Sequence, residues 1–395
     1  MTTDVYVMGV GMVPFTKPGR GDPYDVMGAA AVRAALDDAG IDYRQVQQAY
    51  AGFLYADTCA GQLVLYPLGL SGIPVINVNN ACASGSTALF LARQAVASWA
   101  ADCVLALGFE QMNPGGLGLV FKDRPSAAGL FRAELERTHG YDRSQIATPQ
   151  YYAAAARDYM AEFGVGADLF GRISVKARRH GSKNPLAVFR DELTLEQVMG
   201  STMVFAPLTK LQCCPPTCGA AAALVVSGEF LRRHGRGPRV RIAGQAMVTD
   251  LPSTFDSGDM RVVMGADLAA TAAAAVYEQA GVGPDDVDVV ELHDSFTPGE
   301  LLNYESLGLT PRGTAEKFVL DGDNTYGGKV VVNPSGGLLS KGHPIGATGL
   351  AQCAELVWQL RGQAGARQVE GARLALQHNH GLGSACVVTM YEAVA

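Results

Sequence analysis

Gly85-Ser86-Thr87-Ala88-Leu89 and Gly346-Ala347-Thr348-Gly349-Leu350 read as two copies of one helix start, 261 residues apart. Upstream, Ala39-Gly40-Ile41 with Val46 returns as Ala280-Gly281-Val282 with Val287, at an offset of 241. Downstream, Leu105-Ala106-Leu107 returns as Leu374-Ala375-Leu376 at 269. The order is kept and the offset grows along the chain, as loop insertions would make it. The chain is an internal duplication. Around the matched pieces, short β-branched runs alternate with Ala-rich stretches, which predicts an α/β fold. Strands are expected within Tyr6–Val10, Cys103–Leu107, Val287–Leu292 and Leu374–Gln377. Helices are expected over Val26–Ala39, Ser86–Ala100, Ala269–Ala280 and Thr348–Leu360. Most of these helices are small or apolar on nearly every side, which predicts burial.

Two related halves, 1–111 and 263–395, therefore flank a middle region, 112–262, expected to be a loop insertion that partly completes the N-terminal half. A duplicated pair should pack about a pseudo-two-fold, with helices sandwiched between sheets. Cys82 and His343 each stand three residues before a matched glycine. The repeat thus predicts that they face one another across one cleft. The middle region is rich in Arg, Lys and Tyr, including Arg172, Lys176, Arg178, Arg179 and Lys183. Arg179 and Lys183 are the candidate cations for a bound ligand there; a solvated helix face accounts equally well for any one of these charges.

Composition narrows the function classes. The 395 residues carry 31 Lys+Arg against 38 Asp+Glu, a net charge of −7, which argues against a nucleic-acid protein. Only 17% are charged, below the usual quarter or so, so much of the chain should be buried, in itself or in a partner. No apolar run approaches the roughly 18 residues of a membrane span, and Met1-Thr2-Thr3-Asp4 lacks the basic start of a signal peptide. Eight scattered cysteines in mostly apolar contexts do not form a secreted disulfide framework. A reducing, cytoplasmic setting is the expectation.

Cys82 lies in Asn77-Val78-Asn79-Asn80-Ala81-Cys82-Ala83-Ser84-Gly85-Ser86, a strand, a tight small-residue turn and a helix start. There a helix dipole and free backbone N–H groups should lower the thiol pKa and favour the nucleophilic thiolate. Burial as an inert cysteine is the commoner fate, and it suits Cys59, Cys103, Cys353 and Cys386. His343, held between Gly342 and Pro344 at the second helix start, suits the activation of a thiol. His293, in Glu291-Leu292-His293-Asp294-Ser295-Phe296, comes directly off a strand. A catalytic group and a satisfied half-buried histidine are equal readings of it, and Asp294 suits a helix cap. The glycines of His378-Asn379-His380-Gly381-Leu382-Gly383-Ser384 fit either a loop whose N–H groups face an oxyanion or an ordinary turn. Cys213-Cys214-Pro215-Pro216-Thr217-Cys218 lacks the paired spacing and fourth ligand of a zinc site, so no metal is expected. No glycine-rich stretch is a phosphate-loop or dinucleotide fingerprint.

Together NVNNACASGS, HDSF, NPSGGLLSKGHPIGATG and the closing HNHGLGSA resemble the thiolase superfamily, nearly end to end, and within it the sterol carrier protein 2 (lipid-transfer-protein) branch. The resemblance implies the thiolase fold, duplicated α/β/α/β/α halves with an inserted loop domain. It implies that Cys82 takes an acyl group from coenzyme A as a thioester, that His343 activates the thiol and that His293 binds the thioester oxygen. A second oxyanion hole is implied between the N–H of Cys82 and an amide of the closing loop, placed at Gly383. Coenzyme A is then substrate and product rather than a resident cofactor. The family's habit implies a homodimer.

The sequence departs from that pattern at two positions, His380 standing where relatives usually have an aliphatic residue. Close relatives carry cysteine after His-Asp as a second acid/base; this chain has Ser295, a far poorer proton carrier near neutral pH. His380, Cys386 and Cys218 are the candidates to replace it. Acyl-CoA C-acyltransferase chemistry is the expectation: thiolysis of a 3-oxoacyl-CoA or the reverse Claisen condensation. One rival is a retro-aldolase on steroid side-chain thioesters acting with a small OB-fold partner, although relatives of that kind replace the catalytic cysteine and histidines. The other rival is a non-catalytic acyl-CoA or lipid-binding protein. Nothing in the chain resembles a separate lipid-carrier domain.

Overall fold

The computed structural model describes all residues except 1–3, 116, 117, 119, 120, 122, 236 and 395. The N-terminal half contributes β1 (Val5–Met12), β2 (Gln48–Gly52), β3 (Val75–Val78), β4 (Cys103–Glu110) and β5 (Gly219–Ser227). The C-terminal half contributes β6 (Arg239–Val248), β7 (Val289–Glu291), β8 (Val331–Val332), β9 (Leu374–Gly381) and β10 (Ala385–Val394). From the centre outward the strands run β1-β5-β4-β2-β3 on one side and β6-β10-β9-β7-β8 on the other. The second list is the first with five added to each label, so the duplication is visible as topology. Parallel and antiparallel pairings repeat with it, down to the parallel β2–β3 and β7–β8 ladders. The halves join edge to edge where Tyr6 and Val7 of β1 face Arg241 and Val240 of β6.

The helices follow the same symmetry. In chain order the helices that frame the core and the site are α1 (Tyr24–Ala39), α2 (Ser84–Ala97), α3 (Ala147–Phe163), α4 (Asp168–Ser182), α5 (Ala266–Ala280), α6 (Thr297–Ser306) and α7 (Thr348–Leu360). Helix α1 covers β1 and β5, and α5 covers their counterparts β6 and β10. Both end on a left-handed glycine, Gly40 at φ 67° and Gly281 at φ 69°. Only glycine takes that conformation without strain, which is why the Ala-Gly-Ile/Val piece recurs. Helices α2 and α7 pack on each other and touch strands of both halves. Ala88, Leu89, Ala92, Leu350, Ala351 and Ala354 share one apolar core with Val104, Ala106 and Ala375. This is the predicted sandwich of helices between sheets.

The matched glycines mark where the two central helix starts meet. A Cβ at Gly85 would lie 2.6 Å from the carbonyl oxygen of Gly346, and one at Gly346 would lie 2.6 Å from that of Gly52. No side chain fits, so the repeat is the imprint of a backbone-to-backbone crossing.

Most boundaries agree with the expectation, and the exceptions are physical. Helix α2 starts at Ser84 and stops at Ala97, three residues before the expected end at Ala100, and α5 starts at Ala266 rather than Ala269. Strand β9 runs on through His378-Asn379-His380 to Gly381, a stretch read as loop, because Asn379 and His380 pair in register with Val387 and Cys386 of β10. Residues 112–262 are divided between the halves. Strand β5 completes the first sheet, β6 begins the second, and α3 and α4 pack on α6. Among the described residues no helix is long and apolar enough to cross a membrane.

Candidate functional site

Strand β3 delivers the chain to a strained turn before α2. Ala81 has φ 47°, in the left-handed region, and its carbonyl accepts from Ser84 Oγ at 2.7 Å while Asn79 Oδ1 accepts the Ala81 N–H at 3.1 Å. Strain of this kind persists only where surrounding bonds over-determine it. The turn sets Cys82, 8% exposed, at the floor of a cleft.

The expected lowering of its pKa is not found. Burial first, and then the carboxylate of Glu110, push the Cys82 thiol up to about 12. Its own N–H and that of Leu382 pull the other way and lose. The helix itself does not begin until Ser84, two residues beyond Cys82. The resting group is a neutral thiol. Glu110 is held by the amides of Leu54, Tyr55 and Gly346, and burial pushes its carboxyl up to about 7.

His343 is the partner that the repeat anticipates. Its Nδ1 lies 2.7 Å from Thr348 Oγ1, and that hydroxyl donates to the carbonyl of Pro344 at 2.8 Å. A threonine hydroxyl has one hydrogen, so Nδ1 must donate to it and Nε2 is left as a bare lone pair. Burial, then the Lys341 ammonium, hold the imidazole down at about 3, so it is neutral at pH 7. Lys341 is itself buried and paired with Glu291 at 3.0 Å.

A longer relay orients His293. Gln377 Nε2 donates to the carbonyl of Gly349 at 2.7 Å, which fixes that amide's orientation, and also to Ser86 Oγ at 2.9 Å. The Ser86 hydroxyl must then give its hydrogen to Asn379 Oδ1 at 2.8 Å. That turns the Asn379 amide nitrogen towards His293 Nδ1 at 3.1 Å. His293 therefore accepts at Nδ1 and carries its proton on Nε2. Burial, with His343, His380 and His378 nearby, keeps it uncharged. The two imidazoles have opposite tautomers. One offers a base and the other a donor.

The Cys82 thiol and one ring nitrogen each of His293 and His343 all lie within 4.8 Å of one another, and all three residues are buried. The His293 and His343 rings meet edge to face at 5.0 Å. Asp294 turns away to accept the N–H groups of Leu338 and Leu339, as a helix cap does.

The other predicted residues divide. Ser295 and His380 line the same cleft, Ser295 donating to Tyr152 Oη at 3.2 Å. Cys386 does not; it is fully buried in the apolar core and lines neither cavity. Cys218 is also outside, its thiol directed at the Met112 carbonyl. Gly383 is exposed at the hairpin tip, and the closing-loop amide that faces the Cys82 sulfur belongs to Leu382. Arg179 and Lys183 stay exposed at the end of α4, Lys183 over the Tyr326 ring, and neither lines the cleft. The cations that do line it are Arg124 and Arg132. Cys213, Cys214 and Cys218 belong to no cluster of metal-capable groups among the described residues. Glu110 and Tyr152 escaped the sequence analysis, since they join the site only by long-range packing, and Thr348, Asn379 and Cys214, though they stand in the quoted motifs, show no side-chain role there.

Two cavities meet at Cys82. One of about 220 Å³ holds His293, His343, His380, Ser295, Tyr152 and Cys214. Another of about 550 Å³ opens beside it between Leu54, Tyr55, Phe131, Tyr151, Arg124 and Arg132. Cys82, Ile146, Thr148 and Leu382 border both.

Comparison with known proteins gives the same answer along the whole chain. Residues 5–228 match the thiolase N-terminal domain family and residues 253–392 the thiolase C-terminal domain-like family. Sterol carrier protein 2 of Rattus norvegicus is 50% identical over 392 residues, covering 98% of this chain and 72% of that protein. Benzoylsuccinyl-CoA thiolase subunit BbsB of Thauera aromatica is 41% identical over 387 residues, covering 96% of this chain and 95% of its own. Among solved structures, an Ltp2-ChsH2(DUF35) aldolase superposes with a TM-score of 0.84 at 27% identity, over 99% of this chain and 98% of that one. Duplicated topology, motif spacing and these matches together mean that the chain belongs to the thiolase family, in the branch of sterol carrier protein 2.

Proposed function

We propose that this protein is an acyl-CoA C-acyltransferase that cleaves a 3-oxoacyl-CoA with coenzyme A, or runs the reverse Claisen condensation, through an acyl thioester on Cys82. The observation that carries the proposal is the meeting of the Cys82 thiol with one ring nitrogen each of His343 and His293, all within 4.8 Å of one another. Cys82 passes its proton to His343 Nε2 as its sulfur attacks the 3-oxo carbon; thiolate and imidazolium then stabilise each other in a dry site. The N–H groups of Cys82 and Leu382 face the oxyanion formed at that carbon, and His293 Nε2–H faces the thioester oxygen, where enolate charge develops as the C2–C3 bond breaks. Coenzyme A then takes the acyl group from Cys82. The larger cavity suits the coenzyme's pantetheine arm and acyl chain, with Arg124 and Arg132 near its phosphates.

Intact-protein mass spectrometry after mixing with acetyl-CoA or acetoacetyl-CoA, with peptide mapping, should find the acyl group on Cys82. A Cys82→Ala protein that cleaved 3-oxoacyl-CoA at the wild-type rate would sink the proposal. Bound coenzyme without any adduct would favour a non-catalytic acyl-CoA or lipid-binding protein. The aldolase likeness favours a second reading, a retro-aldolase working with a small DUF35-type, OB-fold partner; retention of Cys82, His293 and His343 weighs against it, and copurification of such a partner would revive it. Eight free cysteines suit a reducing cytoplasmic setting, and a homodimer is the family's assembly.

A further inference from the structure

Cleaving or forming the C2–C3 bond moves a proton on and off the substrate α-carbon, and His343 is already committed to the Cys82 thiol. Another carrier must face the small cavity. Ser295 holds its proton too tightly for the task, and its hydroxyl is engaged with Tyr152, which holds its own proton more tightly than an ordinary tyrosine. His380 and His293 are neutral imidazoles, and the second proton of such a ring is far less acidic than a thiol.

We propose that Cys214 is the second acid/base of the reaction, replacing at this site the thiol that position 295 lacks. The inference rests on the acyltransferase proposal above and extends it. Cys214 lines the small cavity with Cys82, His293 and Ser295. Its segment is stitched between the two histidine loops: Cys214 N–H donates to the Ser295 carbonyl at 2.8 Å, Cys213 bridges to Phe296, and Pro216 bridges to His343. Its neighbour Cys213 also lines the cavity, but that thiol donates to the Thr209 carbonyl. His380, 4% exposed, lines the same cavity, and its Nε2 has no hydrogen-bond partner among the described residues.

Burial raises the Cys214 thiol, with Cys213 and Cys82 beside it adding to the rise. Cys214 is therefore a protonated acid in the free enzyme. In the cleavage direction the Cys82 sulfur bonds to C3 and the C2–C3 bond breaks. Its electron pair stays on C2 and takes the proton of the Cys214 thiol, releasing the shortened thioester. The Cys214 thiolate then takes the proton of the incoming coenzyme A thiol. The new thiolate attacks the acyl-Cys82 carbon, and the Cys82 sulfur leaves as a thiolate that takes its proton back from the His343 imidazolium.

The test separates the readiness of the Cys82 sulfur from proton transfer at the substrate in Cys214→Ala and the near-isosteric Cys214→Ser. Alkylation of Cys82 by iodoacetamide in wild type and both variants is read by mass spectrometry. Exchange of the acetyl methyl hydrogens of acetyl-CoA in D₂O and thiolysis of acetoacetyl-CoA are followed in parallel. Alkylation within about threefold of wild type, with exchange and thiolysis lowered at least about 100-fold in both variants, is the expected result. Thiolysis within threefold of wild type in either variant overturns the inference, as does loss of exchange in Ser295→Ala with exchange retained in Cys214→Ala. A wild-type protein that never acylates at Cys82 fails at the earlier proposal and takes this one with it.

Discussion

The Nδ1 of His343 and the hydroxyl of Thr348 are 2.7 Å apart, one turn of backbone after the Gly-His-Pro motif, and that contact leaves Nε2 as the bare nitrogen of the ring. A Thr348→Val protein keeps the shape and removes the acceptor, so the imidazole is free to move its proton to Nε2. We expect kcat to fall about tenfold or more with KM little changed. Folding stability should drop by about 1 kcal/mol for the lost hydrogen bonds. Steady-state kinetics with denaturant unfolding checks both, and an unchanged kcat would show that the tautomer is not set by Thr348.

The opposite tautomer of His293 depends on Asn379, at the end of the relay from Gln377 through Ser86. Asn379→Ala removes the donor to Nδ1 and frees the ring. A loss of about 100-fold in kcat is expected if an oxyanion donor is thereby misplaced. Nitrogen-15 spectra of labelled histidine should show His293 moving from an Nε2–H form to a mixture; a wild-type spectrum with the proton on Nδ1 would contradict the relay.

The Cys82 thiol stands at about 12 in the free enzyme, so its thiolate fraction should rise about tenfold per pH unit throughout the neutral range. Alkylation of Cys82 by iodoacetamide is expected to climb with that slope from about pH 7 to 9 without levelling. A plateau near neutral pH would reveal a preformed thiolate, the arrangement expected from the helix start alone.

Lys341 and Glu291 form an ion pair at 3.0 Å with 1% and 0% side-chain exposure, and Glu291 also accepts from the Ser335 N–H and hydroxyl. Lys341→Met leaves that carboxylate buried without its cation, which should cost about 3–5 kcal/mol in denaturant unfolding. The same substitution removes the charge that helps to depress His343, so the acid limb of a kcat profile should move to higher pH. A cost below about 1 kcal/mol would mean that water or another cation reaches Glu291.

The sequence by itself determined the duplication, the α/β class and the pairing of Cys82 with His343. Each was legible because a backbone constraint leaves a local trace. Gly40 and Gly281 close helices in a left-handed turn, and Gly85 and Gly346 mark a crossing too close for a Cβ. Local chemistry misled where the answer depends on water. The helix start promised an acidic thiol at Cys82, but the desolvation that raises it comes from residues scattered along the chain. Tertiary structure alone decided the tautomer of His293, since the relay from Gln377 through Ser86 and Asn379 is joined only by folding. It also decided which cysteines face the cleft. Cys386 is enclosed in the core, whereas the bridges to Phe296 and His343 carry Cys214 to the wall of the cavity.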